Sequence, residues 1–206
     1  MRIKFSFYTS KLPMIYRNKF MALIKEALNQ SDRAYKERLY PDKESERSKV
    51  AKPFCFSVIL PSAKEIKREL IKIDEDFTVE DLVFYFKENS YISLMVSSLD
   101  LEFVLNLYNG IIAKKVFNFP NELTLTFRNA TLLKEKRLEK DIALLKTLSP
   151  ILIETKEEKP LLPINDLEIF NREFNAIHDR ILRDIRGYGL KEPLHFEPLE
   201  VKKTGG

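Results

Sequence analysis

Hydrophobic and polar positions alternate at the start of the chain. Ile3, Phe5 and Phe7 are separated by Lys4 and Ser6, the period of two that marks a half-buried strand. The chain breaks at Leu12-Pro13, and Ile15, Phe20, Leu23, Ile24, Ala27 and Leu28 then recur at helical spacing through Asn29. Residues 30–52 are polar and lack glycine, with Tyr35, Leu39 and Tyr40 scattered among them, which predicts a short helix and then a mobile loop. Pro53 closes that loop, and residues 54–60 are a strongly apolar strand. Residues 61–73 read as basic and irregular. Residues 82–86 and 91–96 flank the turn Lys87-Glu88-Asn89-Ser90, a hairpin signal. Asp100 is placed to cap a helix carrying Phe103, Val104, Leu107 and Ile111. Residues 116–119 form a short extended piece, and residues 123–127 alternate as a strand that continues through Leu133. Residues 1–133 thus read β-α-β-β-α-β, the order of a ferredoxin-like split βαβ domain.

The charged run 134–140 marks a boundary, after which the pattern restarts. Residues 142–153 read as a strand bulged at Ser149-Pro150, and residues 154–163 as a polar loop. Asn165 or Asp166 can cap a long helix with Leu167, Phe170, Phe174, Ile177, Ile181, Leu182 and Ile185 on its buried face, ended by Gly187 or Gly189. Residues 194–196 and 199–201 read as the next strand. The second unit, 141–206, is then only β-α-β. Either it is truncated or it closes differently, and truncation is the expectation. The fold class is α+β: tandem ferredoxin-like (RRM-like) domains, the second incomplete.

Composition narrows the chemistry. No apolar run reaches the ~18 residues that cross a bilayer, and the first residues lack a secretory core, so no membrane partner is expected. The single Cys55 cannot form an internal disulfide, which fits a reducing compartment and a cytoplasmic location. One cysteine and two histidines, His178 and His195, leave no zinc-type cluster, and no cofactor is expected. The five glycines form neither a phosphate-binding loop nor a nucleophile elbow. Each histidine, taken alone, is more often a surface or core-edge residue than a catalyst.

The net charge of +4 is unevenly spread. Residues 1–52 hold thirteen Lys/Arg against six Asp/Glu, an excess of seven, while the remainder is slightly acidic. Such a basic quarter suits a polyanionic partner, although a solvated surface explains the charge equally well. Two features are more specific. Tyr16, Arg17, Lys19, Lys25, Arg33, Tyr35, Lys36, Arg38 and Tyr40 interleave cations with aromatic rings, so that Lys/Arg can bind phosphates while tyrosines stack on unpaired bases. Taken singly, each is explained as well by core packing or a lysine-coated helix face. Arg180, Arg183 and Arg186 recur every three residues on one side of the long helix. The helix dipole accounts for one such arginine better than for three.

The opening MRIKFSFYTSKLPMIYRNKFMALIKEAL, the segment Lys52-Pro53-Phe54-Cys55-Phe56-Ser57-Val58 and the segment Thr147-Leu148-Ser149-Pro150-Ile151 together resemble CRISPR-associated endoribonucleases of the RAMP superfamily, which process precursor CRISPR RNA. The resemblance runs over nearly all of the chain. It implies tandem ferredoxin-like domains and metal-independent cleavage, in which a ribose 2′-oxygen attacks the phosphate to leave 5′-hydroxyl and 2′,3′-cyclic phosphate ends. It assigns Lys52 to the family's lysine, which could stabilise the phosphorane. Tyr35, Lys36, Tyr40, Arg47 and Lys49 are then the candidates for proton transfer or positioning. Arg17, Lys19, Lys25, Arg33, Arg180, Arg183 and Arg186 are the candidates for RNA binding.

The chain departs from the family pattern in three places. Many members have a histidine in the loop before the lysine strand, where residues 42–51 have none. Many have a tyrosine where this chain has Lys25. Family members usually close with a glycine-rich loop that contacts RNA, represented here only by Gly205-Gly206. The alternative is therefore a repeat-RNA-binding subunit without nuclease activity. CRISPR repeat RNA is the expected partner, with other CRISPR-associated proteins and a second copy of the chain as further candidates.

Overall fold

The alternation at the N-terminus places β1 (Arg2–Tyr8) at the centre of the first unit, with Ile3, Phe5 and Phe7 buried. The computed structural model describes residues 1–41, 51–73, 77–135, 141–146, 153–154 and 160–200. The elements that follow β1 in the first unit are β2 (Lys11–Pro13), α1 (Arg17–Ser31), α2 (Arg33–Leu39), β3 (Phe54–Ile59), β4 (Ala63–Lys72), β5 (Thr78–Phe86), β6 (Tyr91–Ser98), α3 (Leu101–Lys114), β7 (Val116–Phe119) and β8 (Leu123–Leu133). Five strands form one antiparallel sheet in the order β3-β6-β1-β8-β7. Setting aside the edge strand β7, the order β3-β6-β1-β8, with α1 leading from β1 toward β3 and α3 from β6 toward β8, is ferredoxin-like.

One glycine sets the closeness of the two long helices. Phe20, Leu23, Ile24, Ala27 and Leu28 of α1 and Phe103, Val104, Leu107, Gly110 and Ile111 of α3 are buried. A Cβ on Gly110 would lie 1.8 Å from the carbonyl oxygen of Ala27. Only a residue without a side chain permits this approach.

Two expectations for the first unit need correction. Residues 82–86 and 91–96 do not form a hairpin. β5 pairs with β2 and β4 in a separate three-stranded sheet, because both hydrogen-bonding edges of β6 are taken by β1 and β3. The stretch 61–73 is not irregular, because it holds the ten-residue strand β4, bulged between Ala63 and Glu65. β4 is an exposed edge strand, where charged side chains replace the apolar alternation that would have revealed it.

The second unit comprises β9 (Ile153–Glu154), β10 (Pro160–Leu161) and α4 (Leu167–Arg186), and it is an incomplete ferredoxin-like unit. Asp166 caps α4 by accepting from the Ile169 N–H at 2.9 Å, and Gly187 ends it in the left-handed region at φ 79°. Phe170 is buried and packs on Phe174 and Phe196, with ring centroids 6.0 and 5.2 Å away. Residues 194–196 do not form a strand. Instead, Asn171 and Asn175 of α4 hydrogen-bond the backbone of Phe196 and Leu194, each side-chain amide donating and accepting as a strand partner would. Residues 142–146 are likewise outside any strand, and Ile142, Leu144 and Leu145 are at least 80% exposed. The expected bulge at Ser149-Pro150 and the expected loop at 42–50 lie outside the described residues. Among the described residues, no helix is long and apolar enough to cross a membrane.

Replacing Gly110 with alanine gains helix propensity of about 1 kcal/mol, yet the added methyl group meets backbone rather than a movable side chain. The clash wins. Gly110→Ala is expected to lower unfolding free energy by about 1–3 kcal/mol in chemical denaturation; unchanged or raised stability would show that α1 and α3 are not so close.

Candidate nucleic-acid interface

The break between α1 and α2 begins the site. Asp32 is extended (φ −150°, ψ 102°), and its carboxylate accepts from the Tyr35 N–H at 2.9 Å, capping α2. The buried Tyr35 then donates its hydroxyl to Asp100 at 2.8 Å, which ties α2 to the start of α3. One turn later the Tyr40 N–H bonds the Lys36 carbonyl at 2.9 Å, and Tyr40 ends α2 with its ring packed against the core.

Two lysines flank that ring. Lys25 Nζ, from α1, lies 4.8 Å from the Tyr40 ring centroid, and Lys52 Nζ, just before β3, lies 5.4 Å from it. The electron-rich ring attracts both ammonium groups and offsets part of their mutual repulsion. Burial, and then the charge of Lys25, holds the Lys52 ammonium below the ordinary lysine range. Burial pushes the Tyr40 phenol up to about 12, so it stays protonated near neutral pH. Its hydroxyl oxygen is buried and has no hydrogen-bond partner among the described residues. The site therefore offers two cations held against one neutral ring. On α1, Arg17 sits 5.5 Å from the centroid of Phe56 of β3, repeating the motif of a cation over a ring.

The other residues singled out from the sequence are placed differently. Tyr35 is 4% exposed, and burial and Asp100 raise its pKa, so it holds the core together. Lys36 is half-buried on α2, and Lys19 is half-buried near the start of α1. Exposed Arg33 is paired with Glu37 at 2.7 Å. Arg47 and Lys49 lie outside the described residues. In the second unit Arg183 pairs with Asp179 at 2.7 Å, while Arg186 reaches the carbonyls of Tyr188 and Gly189 and stacks on the Tyr188 ring. Arg180 is exposed with no partner among the described residues. The His178 ring nitrogen Nδ1 contacts the Phe174 carbonyl at 2.7 Å, a local helix contact, and His195 is exposed. Among the described residues, no three His, Cys, Asp or Glu side chains cluster as a metal site. Another cation-ring group, Arg128 over Tyr8 and Tyr91, carried no signal in the sequence pattern, because it depends on a strand bulge.

The fold is that of RAMP proteins of the CRISPR-associated type. Three solved structures share it: a RAMP protein described as binding different RNA substrates (TM-score 0.63, 21% identity, 93% of this chain and 74% of that one); a Cas6-related protein from Pyrococcus furiosus (TM-score 0.61, 20% identity, 93% and 73%); and a CRISPR-associated protein Cas6 (TM-score 0.62, 22% identity, 97% and 77%). No protein-family model matches the sequence, and no curated protein matches it significantly.

Two measurements check the local electrostatics. Because the Lys25 charge disfavours the protonated form of Lys52, Lys25→Gln is expected to raise the Lys52 pKa in an NMR titration of the lysine side chains; a fall or no change would place Lys25 elsewhere. Tyr40→Phe removes a buried hydroxyl that bonds nothing among the described residues, so it should cost no more than about 0.5 kcal/mol of stability. A larger loss would reveal a partner.

Proposed function

We propose that the chain binds CRISPR repeat RNA along the surface carrying Lys25, Tyr40 and Lys52, and cleaves precursor CRISPR RNA there without a metal ion. The observation that carries this reading is the pair of lysines over one tyrosine ring, at the residue that matches the RAMP lysine. The similarity of fold to a RAMP protein described as binding different RNA substrates supports it.

The chemistry asks for little. A ribose 2′-hydroxyl gives its proton to solvent water as its oxygen attacks the adjacent phosphorus, the bond to the 5′-oxygen breaks as that oxygen takes up a proton, and a cyclic phosphate and a 5′-hydroxyl remain. The Lys52 ammonium stabilises the charge gathering on the phosphorane oxygens, as fixed cations do at developing charge. Lys52, with its pKa lowered, is also a better proton donor to the departing 5′-oxygen than an ordinary lysine. Lys25 holds the neighbouring phosphate, and Tyr40, kept neutral, serves as the ring against which both ammonium groups rest rather than as a base. A second reading, binding without cleavage, is favoured by the position of the histidines: His178 and His195 belong to the second unit, and residues 42–51 contain none.

A labelled repeat RNA incubated in EDTA distinguishes the two. Wild-type protein is expected to yield a 2′,3′-cyclic phosphate product, and Lys52→Ala to slow that step about 100-fold or more while affinity falls less than about tenfold. Tight binding with no product would leave the binding-only reading, and cleavage unaffected by Lys52→Ala would move the site elsewhere.

A further inference from the structure

We infer that the face of the five-stranded sheet opposite the helices carries a second RNA contact, built from Tyr8, Tyr91 and Arg128, that takes one unpaired nucleotide. This inference rests on the RNA-binding reading above but not on cleavage.

The two tyrosines are cross-strand neighbours on the central strands: Tyr8 of β1 is directly opposite Tyr91 of β6. Their chain neighbours Phe7 and Ile92 are buried in the core, so both tyrosines lie on the other face. Tyr91 is 44% exposed. Arg128 reaches them through an irregularity in β8. Phe7 pairs with Phe127 but Ser6 pairs with Asn129, which leaves Arg128 as the extra residue of a bulge. Bulges of this kind re-aim a side chain. In a regular ladder the alternation would have sent one of Arg128 and Asn129 toward the helices. Here Arg128 lies 5.3 Å from the Tyr8 centroid and 4.7 Å from the Tyr91 centroid.

The cluster is more than its packing requires. Arg128 is exposed, and among the described residues no carboxylate or other acceptor engages its guanidinium. Contrast Arg33, Arg38 and Arg183 of the same protein, each of which has a carboxylate at 2.7 Å. A guanidinium held flat against tyrosines presents an outer face on which a base can stack and edge N–H groups for a phosphate. Single-stranded RNA supplies both, because its bases are free to leave the helix stack. A peptide carboxylate would use the charge without the stacking surface, and so is the less complete fit.

Fluorescence anisotropy of the full chain with a labelled heptauridylate RNA, repeated with a blunt RNA duplex, tests the inference. Arg128→Ala and Tyr91→Ala are each expected to weaken heptauridylate binding roughly 5- to 150-fold, the range of one lost stacking contact, and to change duplex binding little. Arg128→Lys keeps the charge but not the plane, and should recover only part of the loss. Lys52→Ala should leave this effect of Arg128→Ala in place. Should a variant unfold, photocrosslinking of 5-iodouridine RNA to wild-type protein replaces it, with Tyr8 or Tyr91 the expected site. Wild-type-like binding by folded Arg128→Ala, or crosslinks elsewhere only, would overturn the inference alone. Absence of any RNA binding by wild-type protein would instead overturn the function proposed above, and this inference with it.

Discussion

A single carboxylate holds the parts of the site in register. Asp100 accepts the Phe103 N–H at 3.2 Å, capping α3, and also accepts the Tyr35 hydroxyl at 2.8 Å. The start of α3 and the middle of α2 are thereby joined through Tyr35, whose side chain is buried. Arg38 adds an exposed pair with Glu102 at 2.7 Å and lies 5.0 Å from the Tyr35 ring centroid. The exposed pair contributes little by itself. The Tyr35–Asp100 bond matters more, because breaking it strands a buried polar group. With α2 pinned in this way, its C-terminal Tyr40 has one place to go, between Lys25 and Lys52.

That placement explains why two cations tolerate each other with no acidic partner among the described residues. Each ammonium faces the same ring, and burial, followed by the charge of Lys25, lowers the proton affinity of Lys52. The phenol between them stays protonated and leaves its hydroxyl unsatisfied. Structures built only for stability rarely keep a buried donor without a partner.

Much of the first unit was legible because its signals are local. β1, α1, β3, α3 and β8 follow from alternation, helical spacing and the Asp100 cap. The exposed strand β4 was missed, since an edge strand carries no buried face to read, and the supposed hairpin failed because pairing is settled by which strand edges are free. In the second unit the long helix and its Asp166 cap were readable, whereas residues 194–196 look like a strand in sequence and are instead held by two asparagine side chains. For the site, composition and resemblance pointed to Lys52, Lys25 and Tyr40 without showing that they meet. Tyr35 could not be told from Tyr40 in sequence, because only the presence of Asp100 beside its hydroxyl makes it a core residue. Arg128 was invisible, since its role depends on a bulge that shifts the register of two strands far apart in sequence.

The most direct test of the account is whether RNA comes to rest on the Lys25–Tyr40–Lys52 cluster. A repeat RNA made uncleavable by 2′-deoxy substitution, titrated into protein carrying 13Cε-labelled lysine, reads this out in side-chain NMR spectra. The Lys25 and Lys52 signals are expected to shift together and to saturate with binding of the RNA. Saturated binding with both signals unmoved would contradict it.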